Sequence, residues 1–142
     1  MSAEAFIDTN VFVYHVDDTD RRKCDIAHAL IREAIATGNA CISYQVVQEF
    51  LNTMVRKAEQ PLGLDDAHTY LSEVLAPLCR VYASIPLYQN ALDIQSRYRF
   101  GFYDSLIVAA ALSAGCSRLL TEDLQDGQRI EGLEIRNPFV CV

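Results

Sequence analysis

Short apolar segments alternate with longer amphipathic segments, and this alternation constrains the fold more than any other feature of the sequence. Strand-like runs end at Ile7, lie at 40–43 and 80–84, and recur at 117–121 and 133–136. Apolar residues at helical spacing fill the segments between them. A chain that returns through a helix after each strand builds a parallel sheet with helices on both faces. The sequence therefore predicts an α/β fold with about five short strands.

Helical spacing of apolar residues predicts helices over segments 22–37, 44–56, 67–78, 86–98 and 103–114. The core of the last segment, Leu106 to Ala114, is apolar on every side. Such a helix is buried on more than one face. It packs either within its own chain or against a second copy.

The size and charge of the chain limit the kind of protein it can be. Its 142 residues fit one domain, 1–142, and 51% hydrophobic with 22% charged residues is typical of globular proteins. The net charge of −7 argues against a broad cationic surface for nucleic acid, because such surfaces bind by neutralising phosphates. A role on nucleic acid would therefore need local basic patches or metal ions.

Cysteine usage and hydropathy indicate a cytoplasmic protein. The five cysteines form no C-x-x-C pair and are odd in number, so we expect reduced, buried thiols: Cys24, Cys41, Cys79, Cys116 and Cys141. The histidines are scattered, which argues against a zinc site made of His and Cys. No segment has the pattern of a signal peptide or the length of a membrane helix, so we expect no membrane association.

Asp8 interrupts the apolar run FIDTNVFVYH at residues 6–15. A carboxylate removed from water without a partner costs several kcal/mol. We expect Phe6 and Ile7 to end a buried strand, Asp8 to mark its carboxyl end, and residues 11–14 to begin a helical return over the sheet. In open sheets of this kind, ligands bind beyond the carboxyl ends of the strands.

Three further acids are placed to reach the same edge of the sheet. Asp123 follows a predicted strand, Asp104 stands at the start of the apolar helix, and Glu49 lies one turn into the helix after the second strand. Converging carboxylates repel one another, so either protons or cations must be present. An all-oxygen cluster suits Mg²⁺ or Mn²⁺, which activates water and stabilises phosphoryl charge.

Each acid taken alone also has an ordinary structural explanation. Asp8 is consistent with an Asx turn and Asp104 with a helix N-cap. Asp123 lies in an acidic loop with Glu122 and Asp126, and Glu49 by itself is consistent with a surface acid. Only their joint placement favours a functional site.

Four motifs in order resemble PIN-domain ribonucleases, most closely the VapC-type toxins. They are an opening hydrophobic-Asp-Thr-Asn (7–10), a Val-x-x-Glu-Phe (46–50), a Tyr-Asp-Ser-Leu-Ile (103–107) and a Leu-Leu-Thr-Glu-Asp (119–123). Each motif is weak by itself, whereas the four in order are specific. The resemblance covers essentially the whole chain and implies a three-layer α/β/α PIN-like domain.

The resemblance also implies an activity and a set of site residues. It places Mg²⁺ or Mn²⁺ among the catalytic acids Asp8, Glu49, Asp104 and Asp123, with Asp126 as an alternative for the fourth position. Supporting polar residues are Thr9, Asn10 and Thr121. Metal-activated water would hydrolyse an RNA phosphodiester, leaving 5′-phosphate and 3′-hydroxyl ends. Toxins of this kind pair with a small antitoxin and usually form homodimers.

Two basic clusters are possible contacts for RNA. Arg97, Tyr98 and Arg99 precede Asp104, and residues 21–23 are Arg-Arg-Lys. Cations and aromatic rings of this kind hold a phosphate backbone and stack a base. The alternative is that cations at the end of a helix complement its dipole, and we favour this interpretation for both clusters.

Other functional classes compete with a ribonuclease. A catalytically inactive PIN-like module would bind RNA or protein and use its acids as turn and cap residues. A phosphatase of the haloacid dehalogenase type requires a second Asp where this chain has Asn10. A receiver domain requires an Asp after a mid-chain strand and a matching late Lys, which the sequence lacks.

Overall fold

The computed structural model of the chain describes residues 3–57 and 61–140. Within these residues, six strands form one sheet in the order β3-β2-β1-β4-β6-β5. The strands are β1 Ala5–Ile7, β2 Ala40–Ser43, β3 Cys79–Val81, β4 Arg118–Leu120, β5 Arg129–Ile130 and β6 Leu133–Arg136. All neighbouring strands are parallel except β5, which is antiparallel to β6. The predicted α/β class is confirmed, with one strand more than the five expected.

The helices agree with the predicted segments, and their ends follow from local capping. They are α1 Thr9–Val16, α2 Arg21–Thr37, α3 Tyr44–Asn52, α4 Leu64–Tyr70, α5 Ala76–Leu78, α6 Ile85–Tyr98 and α7 Phe102–Ser113. Asp20 and Ser84 cap α2 and α6 by accepting hydrogen bonds from backbone N–H groups. At the other end of α2, Gly38 adopts φ 71°, the left-handed conformation that stops a helix and favours glycine.

Two of the predicted helices contain a π-helical turn. Thr53–Lys57 continues α3, and Leu71–Leu75 joins α4 to α5. Each turn carries a fully buried apolar side chain, Met54 in the first and Leu75 in the second. The hydrophobic face predicted over these segments therefore continues across the change in helical geometry.

The strand order places the helices in two layers. The chain moves from β1 outward to β2 and β3, and then returns past β1 to β4. Because crossovers between parallel strands are right-handed, α1 to α5 cover one face of the sheet and α6 with α7 cover the other. The reversal of direction lies between β1 and β4, which is where ligands bind in open α/β sheets.

α7 is buried within its own chain, which resolves one open alternative. Every residue from Ser105 to Ala111 is buried, and the helix packs along α6. At 12 residues it is shorter than the ~20 that a bilayer requires. No helix in ranges 3–57 and 61–140 is long and apolar enough to cross a membrane.

The cysteines of the described ranges are free thiols, as expected, but only two are fully buried. Cys41 and Cys116 lie in the core with their sulfur atoms 3.8 Å apart, whereas Cys24 and Cys79 are partly exposed. The expectation of burial is therefore wrong for these last two. Cys141 lies outside the described residues.

Candidate active site

Asp8 lies at the carboxyl end of β1 and is 7% exposed. Its Oδ1 accepts a hydrogen bond from the Thr9 N–H at 2.7 Å, which makes it the N-cap of α1. Its Oδ2 accepts one from the Thr121 hydroxyl at 2.8 Å. The predicted division at this residue, strand before and helix after, is confirmed. The carboxylate is therefore buried but hydrogen-bonded through both oxygens.

Glu49 is joined to the first strand end by Thr9. The Thr9 hydroxyl donates to Glu49 Oε1 at 3.1 Å, across 40 residues of sequence. Glu49 lies in α3 and is half-buried. The direction of the Glu49 side chain was left open by the sequence. This contact shows that its carboxylate faces the end of β1.

Asp123 follows β4 and is exposed, yet it is held toward the same edge. Asn10 Nδ2 lies 3.2 and 3.3 Å from its two carboxylate oxygens. The backbone N–H of Asp123 donates to the Thr121 hydroxyl at 3.1 Å. Asp126, the alternative fourth acid, instead accepts a hydrogen bond from the Asn137 N–H at 2.8 Å. The structure therefore brings Asp123, and not Asp126, to the other acids.

Asp104 lies in the first turn of α7, whose N-cap is Gly101. An N-cap role for Asp104 is therefore wrong, because the helix begins two residues before it. The amide of Gln45, on α3, donates to the carbonyl of Tyr103 at 3.1 Å and ties this turn to the helix that carries Glu49. Gln45 is 3% exposed and was not predicted as a site residue. Its position one helical turn before Glu49 was the available signal.

The acids influence one another, and burial is the first cause of their altered acidity. Burial raises the pKa of Asp8 to about 6, and the charges of Asp123 and Glu49 add to this rise. The pKa of Glu49 is raised by burial and further by Asp104 and Asp123, against hydrogen bonds from Thr9 and Gln45. Burial and the charge of Asp123 likewise raise the pKa of Asp104. All four carboxylates therefore share one electrostatic neighbourhood.

The donor set fits a hard divalent cation. In the described part of the chain, no ion pair with Lys, Arg or His includes any of the four acids. Within the same ranges, no three His, Cys, Asp or Glu side chains are gathered into a metal cage. Mg²⁺ needs no such cage, since it keeps several waters and binds through one or two carboxylates. The four carboxylates repel one another, and no cationic side chain of the described residues pairs with them. They are therefore consistent with a hydrated Mg²⁺ or Mn²⁺.

Two buried polar atoms stand where β2 leads into α3. Ser43 Oγ and Gln45 Oε1 have no hydrogen-bond partner among the described residues. Ser43 is the N-cap of α3 but makes no side-chain capping bond. Buried polar atoms are usually satisfied, so this end of the site is less completely bonded than the end at Asp8.

The basic residues at positions 21–23 lie at the start of α2, not at its end. The interpretation that they complement the helix dipole is therefore wrong, because a helix N-terminus favours anions. Arg21 instead pairs with Asp25 at 3.5 Å, Arg22 donates to the Phe139 carbonyl, and Lys23 pairs with Glu122 at 3.0 Å. Lys23 also contacts the hydroxyl of Tyr14, which donates to Glu122. This network fixes the loop before Asp123, and it was not predicted from the sequence.

The second basic cluster lies at the end of α6. Arg97 is in its last turn, where a cation complements the dipole, and it pairs with Glu131. Glu131 precedes β6, so it lies at the sheet edge opposite to the carboxyl ends. Tyr98 stacks on Phe100, and Arg99 ends the helix with φ 63°. Contact of these residues with RNA stays a prediction.

The fold and the sequence profile identify the family. The profile of the PIN domain family matches residues 5–130, and the chain belongs to this family. No curated protein sequence matches the chain.

Solved structures share the fold at low sequence identity. A toxin-antitoxin complex from Klebsiella pneumoniae has a TM-score of 0.63 and 17% identity over 94% of this chain and 97% of that chain. VapBC2 from Rickettsia felis, bound to a DNA fragment from its promoter, has a TM-score of 0.67 and 20% identity, with coverage of 94% and 97%. VapC20 from Mycobacterium tuberculosis, a sarcin-ricin loop cleaving toxin, has a TM-score of 0.60 and 19% identity, with coverage of 84% and 91%.

Proposed function

We propose that this chain is a metal-dependent endoribonuclease and the toxin of a type II toxin-antitoxin pair. The observation that carries the proposal is the convergence of Asp8, Glu49, Asp104 and Asp123 in one neighbourhood without a protein cation. These residues would hold Mg²⁺ or Mn²⁺. The ion supplies the chemistry that the carboxylates lack, since it lowers the pKa of water and stabilises charge on phosphate oxygens.

The side chains around the acids would orient them for this task. Asp8 is fixed by Thr9 and Thr121, so its remaining lone pairs have a defined direction. Thr9 turns Glu49 toward the same point, and Asn10 does so for Asp123. Ligands held in this way lose little freedom when they bind an ion or a substrate.

The partners and the location are part of the same proposal. One protein with this fold is in a toxin-antitoxin complex, and another is a toxin that cleaves the sarcin-ricin loop. These relatives support a small antitoxin and an RNA substrate, and we further propose a homodimer and a cytoplasmic location without membrane association.

A cleavage assay with purified cellular RNA and Mg²⁺ or Mn²⁺ tests the activity. We expect cleavage by the wild type, ends bearing 5′-phosphate, and loss of cleavage in Asp8→Asn and in Asp104→Asn. Asp126→Asn is the matched control, because this exposed acid lies outside the group and Asn retains the acceptor for the Asn137 N–H. Cleavage that persists in both site variants would refute the proposal.

Melting temperature separates an active enzyme from an inactive binding module. We expect Mg²⁺ or Mn²⁺ to raise the melting temperature of the wild type, because an ion that binds only the folded state stabilises it. The increase should be smaller in Asp104→Asn and unchanged in Asp126→Asn. RNA binding without cleavage and without any effect of metal would favour the inactive module.

A further inference from the structure

Tyr103 is an exposed aromatic residue fixed directly beside the candidate active site. It precedes Asp104 in the first turn of α7, and 68% of it is exposed. Its carbonyl accepts the hydrogen bond from the Gln45 amide. Because Gln45 and Glu49 lie on one face of α3, the backbone of Tyr103 is fixed relative to two of the acids. The backbone position from which its ring extends is therefore defined relative to the site.

Nothing in the described part of the chain covers this ring. Its contact with Phe102 is edge-to-face, with the ring centroids 5.6 Å apart and an interplanar angle of 77°. Such a contact leaves most of the ring in water. An aromatic side chain gains free energy when it is buried, so an exposed and anchored ring is a suitable binding surface.

Two more tyrosines lie in the same neighbourhood. The Tyr44 hydroxyl, at the start of α3, donates to the Tyr88 hydroxyl on α6 at 3.2 Å. Burial raises the pKa of Tyr44 to about 12, with smaller contributions from Tyr88 and Tyr103. Three tyrosines, one each from α3, α6 and α7, therefore lie near one another.

The chemistry of this surface fits a flat, uncharged group. A nucleobase stacks on the face of an aromatic ring, whereas a phosphate gains nothing from that face. Bases inside a duplex are already stacked on their neighbours, so only an unpaired base is free to bind.

We propose that the ring of Tyr103 stacks the unpaired base next to the phosphate at the acids. This inference rests on the proposed ribonuclease function. It makes Tyr103 a residue that determines specificity, whereas the acids carry the chemistry. Stacking of a base on Tyr103 explains why its ring is exposed, although Ser105 to Ala111 on the same helix are buried.

Kinetics with a mixed-sequence single-stranded RNA of about 12 nucleotides test the role of the ring. We expect Tyr103→Ala to raise KM roughly five- to hundredfold, with kcat little changed. Tyr103→Phe keeps the ring and should stay close to the wild type. Tyr82→Ala is the matched control, because Tyr82 is 66% exposed but its hydroxyl donates to the carbonyl of Cys79 in β3, which lies two strands from β1. An unchanged KM in Tyr103→Ala, or equal effects of the Ala and Phe variants, would overturn the inference.

Fluorescence provides a readout that does not need activity. The chain contains no tryptophan, so Tyr103→Trp introduces a single reporter ring. We expect its emission to be quenched by the single-stranded RNA and not by the same strand annealed to its complement. Equal quenching by both RNAs would overturn the inference, and so would emission that responds to protein concentration but not to RNA, since a second copy would then cover the ring.

The two proposals fail in different ways. If the wild type cleaves no RNA but single-stranded RNA quenches Tyr103→Trp, base stacking stands and the ribonuclease proposal fails. If the wild type cleaves RNA and Tyr103→Trp shows no quenching, the stacking inference fails alone.

Discussion

Asp8 and Asp123 occupy adjacent strand ends, yet the chain holds them in opposite ways. Asp8 is buried, caps a helix and receives a hydrogen bond at each oxygen. Asp123 is exposed and is held through the side chain of Asn10 and the backbone bond to Thr121. The first acid is part of the folded framework, whereas the second is attached to that framework from outside. One side of the site is therefore rigid and the other adjustable.

The largest expected effect comes from comparing the two acids directly. Asp8→Asn should lower kcat/KM roughly thousandfold, because it removes a charge from a fixed ligand at the centre of the site. Asp123→Asn should lower it by roughly ten- to a hundredfold, since an exposed ligand is more easily replaced by water. Both variants are measured with the same RNA at saturating Mg²⁺. Equal losses would contradict the distinction between a rigid and an adjustable side.

Thr121→Val tests the rigid side through stability. The substitution removes the hydroxyl that donates to Asp8 Oδ2 and leaves a buried acceptor unpaired, which costs about 1–3 kcal/mol. The same hydroxyl accepts from the Asp123 N–H, so the variant also removes one contact of the adjustable side. We expect the melting temperature in thermal scans to fall by roughly 3–10 °C. The midpoint of chemical denaturation should move to a lower denaturant concentration. Thr121→Ser is the control, because it retains the hydroxyl. Equal stability of the Val and Ser variants would show that the hydrogen bond does not anchor Asp8.

Asn10→Ala tests the adjustable side. It removes the amide that contacts both oxygens of Asp123 without touching the buried bonds of Asp8. We expect the Mg²⁺ concentration for half-maximal activity to rise roughly tenfold, which corresponds to the ~1.4 kcal/mol of one hydrogen bond to a charged group. The maximal rate should recover at high Mg²⁺. A fall in melting temperature as large as that of Thr121→Val would contradict this separation.

His15 lies at the far end of α1, the helix that Asp8 caps. Its substitution has the smallest expected effect. Burial, and then the nearby His28, lower its pKa below the ordinary 6.5. The unfolded chain therefore binds a proton on His15 more readily than the folded chain does. The free energy of unfolding consequently decreases as the pH falls below about 6.5. His15→Gln should make the decline in melting temperature between pH 7.5 and 5.5 shallower, by roughly one or two degrees.

The control for this pH dependence is His68→Gln, since His68 is exposed on α4. It should follow the wild-type curve. An identical slope in His15→Gln and the wild type would show that His15 does not couple the packing of α1 to pH.

Much of the fold could be predicted from sequence because strand and helix periodicities are local. Asp8 at a strand end followed by a helix was predictable from the change of pattern at that residue. β5 was not, because it has two residues and its turn uses Glu131 and Gly132 at positive φ. This pair lacks the Asn-Gly or Asp-Gly signal of such turns.

The site was predictable only in part. The sequence placed the four acids at one edge, but the bonds that orient them connect residues 40 and 113 positions apart. Such contacts depend on how helices pack, and this is not a local property. Gln45 and the network of Lys23 with Glu122 were missed for the same reason. That the acids are catalytic stays a prediction.

The strands at the two margins of the sheet have a consequence for how the protein meets other molecules. β5, at one margin, has two residues, and β3, at the other, has three. Margins this short offer few unpaired backbone groups to an incoming chain, which protects against fibril-like association. We therefore expect a second copy or a protein partner to dock on side chains and not by adding a strand to the sheet.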